Sequence, residues 1–418
     1  MPDLRDPELL RYKIQTLLWT GILMFVLRLG ARRQIQFRLR TPQVAARMKH
    51  VTGQDLDTVP HGDTLGKPLA RLAPEAIQKI VVGMVRALIE SRRLEKFRLL
   101  GRYYLVAADM SGHLYLGDQP SAFTQGCLTQ TAEDGRTLYY RPVMEAKLVT
   151  RTGLALSIGS EFVENVPRQG KSDDRYKQDC ELKALPRLLA RFQKDFPGLA
   201  VCLLLDSLHC NGPTFRLCRA HNWRFLIVLK EGSLPSVFEE FEALKAQSPE
   251  NQLTVPTPDG RLTFSWVNAI PYDGLTLNVL ECLVNRPNEK PIRFVWVTDI
   301  EVTRELCQAL SQEGGRQRWR IENEGFRTQK HAGFEMEHAY AKHPHAAKNF
   351  YLLLQIAHIL SQMFEGYGQG KAAVKHLYGS LRNLARDLLE SWRRDPVPEL
   401  DRLRPFLDQA IQIRLDTS

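Results

Sequence analysis

Apolar residues recur at helical spacing in two stretches of the first hundred residues. These stretches run from Pro7 to about Leu27 and from Pro74 to about Leu100. Apolar side chains three and four residues apart line one face of a helix, so both stretches are predicted to be helices. Residues 60–68, between them, contain the prolines and glycines typical of a loop. The first hundred residues are therefore predicted to form a helical module.

The pattern changes to strand at Tyr103, where YYLVAA leads directly into Asp109. Strand-like and helical runs then alternate, and LAVCLLL, which ends at Asp206, is apolar enough to be buried on both faces. The predicted strands are 139–150, 153–161, 199–205 and 225–229, and the predicted helices are 177–196 and 213–221. This βββαβαβ order predicts an α/β fold with a ribonuclease-H-like mixed sheet and flanking helices.

Residues 250 to 300 are strand-rich, with turns that contain Pro, Gly and Asn. The predicted strands there are 253–255, 261–267, 275–284 and 292–297. Helical patterns return from about Arg304, most clearly over 316–330 and 346–364. We therefore predict a helical module over 1–100, a catalytic domain over 101–365 with a β-rich insertion at about 250–300, and a helical tail over 366–418.

Charge is concentrated near the start of the chain. Residues 1 to 104 contain 19 Lys and Arg against 9 Asp and Glu, a surplus of 10 that equals the net charge of the whole chain. Seven of these cations occur with no acid between them: Arg28, Arg32, Arg33, Arg38, Arg40, Arg47 and Lys49. Such a run is suited to neutralising DNA phosphates, although a solvated basic face or an acidic protein partner explains the composition equally well.

Other features of the sequence indicate a globular cytoplasmic protein. The apolar run from Leu17 to Leu27 is too short to cross a bilayer and lacks the basic region and cleavage site of a signal peptide, so no membrane partner is expected. Seven cysteines without a C-x-x-C pair indicate reduced thiols, several of them in the core.

Two acids stand where buried strands end, and a third follows on a helix. Asp109 and Asp206 are predicted to lie side by side if their strands are adjacent, and Glu322 is predicted to close the site. A buried carboxylate is unfavourable unless its charge is used. Three carboxylates form an all-oxygen site suited to Mg²⁺ or Mn²⁺, and two such ions promote in-line displacement at phosphorus. Each acid taken singly is more often a cap or an ion-pair partner.

The same segments resemble a known family over roughly residues 100 to 365. They are VAADMSG around Asp109, LLLDSLHCNGP around Asp206 followed by WRFLIVLKEGS, and RWRIENEGFRTQKHAGFEMEH around Glu322. In these segments the chain resembles the insertion-sequence DDE transposases with a β-rich insertion between the second Asp and the Glu, the insertion-sequence-four-like group. Its closing helix carries Tyr, Arg, Glu and Lys at fixed steps, and Arg318 and Glu322 match at the four-residue step.

The outer two positions of that motif differ. The Tyr position falls on Gly315, and the Lys position falls on Gln329, one residue before Lys330. The resemblance implies phosphate contacts from this helix, for which Arg318 and Lys330 are the available cations.

The resemblance also implies the activity and the partners. Two Mg²⁺ or Mn²⁺ ions held by Asp109, Asp206 and Glu322 would support cleavage of double-stranded DNA at transposon ends and transfer of the 3′-hydroxyl to target DNA. A homodimer is expected in the DNA complex because two ends must be joined. Two alternatives remain open: a metal-dependent nuclease without strand transfer, and a catalytically idle DNA-binding relative.

Several residues compete for roles in the site. Glu324 is the rival of Glu322, since two residues apart on a helix only one of them faces the metals. Asp299 ends another strand and is predicted to be a turn or cap residue first. His209, three residues after Asp206, is predicted to start a helix rather than contact a phosphate.

The remaining motifs favour simpler explanations. Trp266 and Trp296 are predicted core residues, with base stacking as the alternative. The histidines between 331 and 345 fit no zinc spacing. GYGQGKA, from Gly366 to Ala372, has Glu365 where a phosphate loop begins with Gly, so no ATP binding is expected.

Overall fold

The computed structural model describes residues 10–165, 178–366, 374 and 376–396, and these fall into two compact units. One unit contains the described residues up to 81, 112–141 and those from 327 onward; the other contains 82–111 and 142–326. The segment GYGQGKA and most of the predicted tail lie outside the described residues. Within the described part, no helix combines the length and hydropathy that a membrane crossing requires.

Helices dominate the first unit. Its first helices, in chain order, are α1 Ile14–Val26, α2 Gln34–Arg38, α3 Pro42–Thr52, α4 Gly66–Arg71 and the start of α5 Pro74–Glu90. Helices from residue 328 onward, which are named below, also belong to this unit. Local sequence defines the ends of α3, because Thr41 caps its first turn by accepting from the Val44 amide at 3.4 Å and Gly53 ends it with φ 65°.

In the described part of the chain, ten strands form one mixed sheet. They are β1 Tyr104–Tyr115, β2 Leu128–Thr131, β3 Thr137–Val149, β4 Ala155–Phe162, β5 Val201–Leu205, β6 Arg224–Val228, β7 Gln252–Thr257, β8 Gly260–Tyr272, β9 Leu275–Asn285 and β10 Ile292–Thr298. Their order is β2-β3-β1-β5-β6-β10-β9-β8-β7, and β4 also pairs with β3, over residues 143–149. The α/β prediction is thereby confirmed.

The helices of the second unit connect these strands. They are α6 Glu181–Asp195, α7 Gly212–Ala220 and α8 Pro235–Gln247. All five residues of β5 are buried, as its uninterrupted apolar sequence predicts. The helix α8 was not predicted from the sequence. The predicted strand-rich region over 250–300 contains β7 to β10, which form an antiparallel meander next to β6.

The segment that follows β10 is helical but irregular. It consists of a π-helical turn Ala309–Gly314, a 3₁₀ turn Gly315–Arg318, a π-helical turn Ile321–Arg327 and the helix α9 Thr328–His331. We call residues 309–327 the closing segment. Gly314 lies so close to Leu226 that an added Cβ would come within 2.6 Å of its side chain, and a Cβ on Gly315 would collide with the ring of Trp296. Glycine at both positions lets the segment approach β6 and β10 closely.

Two helices complete the first unit, α10 Pro344–Gly366 and α11 Leu381–Arg394. The side-chain amide of Asn349 on α10 donates to the carbonyls of Leu69 and Leu72 at 2.7 and 2.8 Å and so ties α10 to the end of α4. The predicted helix over 74–100 ends earlier, at Glu90. Arg92 has φ 57°, a left-handed conformation that a helix cannot continue through.

Candidate functional site

The two predicted strand-end aspartates lie on adjacent parallel strands. β1 pairs with β5 in the register Tyr104 with Val201 through Ala107 with Leu204. The same offset continued for two more residues relates Asp109 to Asp206. Asp206 directly follows β5, as predicted, whereas Asp109 lies within β1, which continues to Tyr115, so its predicted position at a strand end is wrong. The parallel pairing nevertheless places the two acids beside each other, where β5 ends.

Asp109 is surrounded by more acid than base. The pKa of Asp109 is raised to about 7, chiefly by burial and then by the carboxylates of Glu181 and Glu322, whereas Arg318 and the Met110 amide lower it. The Met110 amide donates to Asp109 Oδ1 at 2.9 Å. The charge on Asp109 is thus unbalanced by the protein, which is the electrostatic condition for binding a cation.

Asp206 begins a 3₁₀ turn, Ser207–His209, and accepts the Leu208 amide at 3.0 Å. This turn brings His209 back beside the aspartate, together with Glu181 from the first turn of α6. One ligand atom from each of Glu181, Asp206 and His209 lies within 4.8 Å of the others. His209 is therefore a site neighbour, and its predicted role at a helix start was incomplete.

Glu322 and Glu324 form ion pairs with different arginines. Arg318 Nη2 donates to Glu322 Oε1 at 2.7 Å, whereas Glu324 pairs with Arg320. Of these two glutamates, only Glu322 is among the charges that raise the pKa of Asp109. Glu322 is therefore the better candidate for a member of the site.

Only 8% of the Arg318 side chain is exposed, and its Nε has no hydrogen-bond partner in the described part of the chain. It lines a cavity of about 440 Å³ together with Asp206, Lys230, Trp296 and Trp319. A buried donor without a partner is unfavourable unless a ligand satisfies it. Arg318 thus presents an unused N–H group beside the carboxylates.

The other predicted DNA contacts lie in the first unit. Arg33, Arg38 and Arg40 are exposed, whereas Arg28 and Arg32 are partly buried. The guanidinium of Arg28 stacks 3.2 Å over the ring of Phe334, and that of Arg32 lies 5.8 Å from the ring of Phe350.

Lys330 also belongs to the first unit, where it forms an ion pair with Glu337 at 2.8 Å. Arg47, from the same basic run, donates to the carbonyls of Ser391 and Asp395 at the end of α11. These two cations already have protein partners.

The competing residues take the simpler roles. Asp299 forms an ion pair with Arg224 at 2.8 Å and accepts the Phe225 amide at 3.2 Å, at the start of β6. Because β5 and β6 are parallel, this is the opposite edge of the sheet from Asp206. Trp266 and Trp296 are buried core residues, as predicted.

Sequence reasoning missed Glu181 and Trp319. Glu181 resembles any acid in the first turn of a helix, and no spacing rule links it to Asp206, 25 residues later. A tryptophan three residues before Glu322 on a helix would be expected to be buried in the core. Trp319 is instead 48% exposed and lines the cavity beside Arg318. Both positions became visible only when the chain was folded.

Comparison with known proteins adds no family assignment. The sequence matches no protein-family model and shows no significant similarity to a curated protein. The residues of the site are therefore the basis for assigning a function.

Proposed function

We propose that this protein is a DDE-type DNA transposase with a ribonuclease-H-like catalytic core. The observation that supports this most is that Asp109 lies beside Asp206 across paired strands, with the carboxylate of Glu322 among the charges that raise the pKa of Asp109. The strand order β4-β3-β1-β5-β6, with β1, β5 and β6 parallel, supports the fold assignment. The closing segment brings the glutamate from a distant part of the chain.

The donor set fits divalent cations. Asp109, Asp206 and Glu322 offer carboxylate oxygens, the ligands that Mg²⁺ and Mn²⁺ prefer. Burial and then repulsion from the neighbouring carboxylates raise the pKa of Asp109, and a bound cation would stabilise its ionised form. When bound, two such ions supply an activated water or 3′-hydroxyl and stabilise the leaving oxygen.

The protein's own groups bind and orient the DNA strand. The unpartnered Arg318 Nε can donate to a phosphate oxygen next to the scissile bond, while its Nη2 holds Glu322 in place. The exposed Arg33, Arg38 and Arg40 in the first unit supply cations for double-stranded DNA. Strand transfer then requires two ends at once, which is the reason for proposing a homodimer in the DNA complex.

A plasmid assay tests the catalytic assignment. Supercoiled DNA that carries the flanking element ends is incubated with Mg²⁺ or with EDTA, using the parent, Asp206→Asn, Glu322→Gln and the control Glu324→Gln. We expect cleavage and joining in the parent and the control, and neither in the other two variants or in EDTA. Full activity of Asp206→Asn or Glu322→Gln contradicts the site, and metal-dependent nicking without joined product supports a nuclease instead.

A salt titration tests the DNA-binding assignment. Each phosphate contact contributes about 0.9 to the slope of log K against log salt, so removing Arg33, Arg38 and Arg40 together is expected to reduce the slope by about 2 to 3. Arg47→Ala is the matched control, because its guanidinium already serves the end of α11. Equal slopes for the triple variant and the parent contradict this role.

A further inference from the structure

Glu181 is a further carboxylate at the site, and the proposed catalytic triad of Asp109, Asp206 and Glu322 does not explain its role. It is the first residue of α6, its side chain is 16% exposed, and the preceding Cys180 provides no side-chain cap. An acid in a first helical turn ordinarily faces solvent and the free amides of the helix. Glu181 instead places Oε1 3.0 Å from Nε2 of His209.

His209 positions the carboxylate of Glu181. The histidine side chain is 1% exposed, and its Nδ1 is buried without a hydrogen-bond partner among the described residues. A buried N–H without a partner is less favourable than a lone pair without one, so the proton belongs on Nε2. His209 therefore donates to Glu181 and fixes the orientation of its carboxylate.

Glu181 also interacts electrostatically with the proposed catalytic acids. It raises the pKa of Asp109 more than Glu322 does, and its oxygen lies within 4.8 Å of a ligand atom of Asp206. With Glu181, four carboxylates outnumber the two cations that line or adjoin the site, Arg318 and Lys230. Bound divalent cations would balance this excess of negative charge.

We propose that Glu181 is a fourth carboxylate ligand, which holds one of the two divalent cations together with Asp206, and that His209 is the positioning residue for Glu181. The inference rests on the proposed function for the presence of two ions, but its residues are separate from Asp109 and Glu322. The competing explanation is that the Glu181–His209 pair only fastens α6 to the turn after β5.

Mn²⁺ binding to the full chain without DNA separates these explanations. Free Mn²⁺ is followed by electron paramagnetic resonance at pH 7.5 for the parent, Glu181→Gln, Asp109→Asn and the control Glu313→Gln. Glu313 is a suitable control because it lies on the closing segment, is half exposed and pairs with Arg151. We expect two ions in the parent and the control, and at least a ten-fold weaker second ion in Glu181→Gln.

His209 is tested by rescue. Gln places an amide N–H close to the position of Nε2, so His209→Gln is expected to bind Mn²⁺ like the parent, whereas His209→Ala loses affinity for the second ion. A purely structural pair would lower the melting temperature in both variants without changing the number of ions bound. Should Glu181→Gln fail to fold, Glu181→Asp serves instead, since it retracts the carboxylate and keeps its charge.

The outcomes are distinct for the two proposals. Parent-like Mn²⁺ binding by Glu181→Gln or Glu181→Asp overturns the fourth ligand and leaves the triad intact, provided that Asp109→Asn loses an ion. Loss of an ion in Glu181→Gln but not in Asp109→Asn overturns the triad. A parent that binds no Mn²⁺ overturns both.

Discussion

Asp109 and Asp299 are both acids of the same sheet and differ in their surroundings. Asp109 lies within β1 and Asp299 directly follows β10, and burial raises the pKa of both. Asp299 has a cation at 2.8 Å, Arg224, and lies at the sheet edge opposite Asp206. Asp109 is flanked by Glu181 and Glu322, and Arg318 offsets them only in part.

This difference distinguishes a structural acid from a candidate metal ligand. A buried carboxylate that serves the fold is paired within the protein, because an uncompensated buried charge destabilises it. A carboxylate that serves a metal is left with excess negative charge, which the cation balances on binding. Burial in the same sheet is shared by both kinds of acid, so only the neighbouring charges distinguish them.

The largest expected effect is on cleavage. Asp109→Asn removes a metal ligand and is expected to lower metal-dependent DNA cleavage by about 10³-fold or more, whereas Asp299→Asn retains activity within about three-fold. The measurement is the initial cleavage rate in Mg²⁺ under identical conditions. Equal losses in both variants would remove the functional distinction between the two acids.

The second effect is on stability without metal and has a defined pH dependence. Folded Asp109 keeps its proton up to a pKa of about 7, whereas the unfolded chain loses it near 3.8, so the parent loses stability as pH rises from about 4 to 7. The variant Asp109→Asn has no carboxyl group at this position, so its stability does not fall with pH for this reason. Its free energy of unfolding in EDTA should exceed that of the parent by up to about 4 kcal/mol at pH 8, with a smaller gain at pH 5.

Urea unfolding at the two pH values measures this gain. A variant that is less stable than the parent at pH 8 would show that the carboxylate of Asp109 is balanced within the protein, as that of Asp299 is.

The third effect concerns the closing segment, which carries Glu322. An added Cβ on Gly325 would lie 3.0 Å from Cε of Lys147, whose buried ammonium is held 3.4 Å from Glu145. Because Lys147 cannot move freely, Gly325→Ala is expected to destabilise the fold by about 1 to 2 kcal/mol. It should also lower cleavage by displacing Glu322.

Gly83→Ala is the matched control for that change. Gly83 lies within α5 with no atom inside 4 Å of an added Cβ, so alanine is expected to stabilise by about 0.5 to 1 kcal/mol. Thermal melts and cleavage rates of the two variants check the contrast. A Gly325→Ala protein that behaves like Gly83→Ala would show that the closing segment tolerates displacement.

The smallest effect is expected at the paired acid. Asp299→Asn loses the ion pair with Arg224 but also removes a buried charge, and its amide oxygen can still accept from the Phe225 amide. These contributions oppose each other, so the free energy of unfolding should change by less than about 1 kcal/mol. Arg224→Met leaves the carboxylate alone and should destabilise more than Asp299→Asn does, which urea unfolding can measure.

Much of the fold could be predicted because local sequence specifies it. The strand VCLLL is apolar throughout and fully buried, and Asn211 caps α7 by accepting the Thr214 amide at 3.0 Å. The strand-rich region over 250–300 followed from alternating side chains and turn residues. The prediction was wrong where tertiary packing overrides local preference, as in the closing segment, where π-helical and 3₁₀ turns replace a regular helix.

The sequence by itself determined the position of Asp206 directly after a buried strand, the step from Arg318 to Glu322 and the basic run near the start, because these depend on neighbouring residues in the chain. Only the tertiary structure decided that Glu322 rather than Glu324 raises the pKa of Asp109, that Asp299 is paired, and that Glu181 and His209 join the site. The physical reason is that charge interactions depend on distance in space, and residues far apart in sequence become neighbours only when the strands pair.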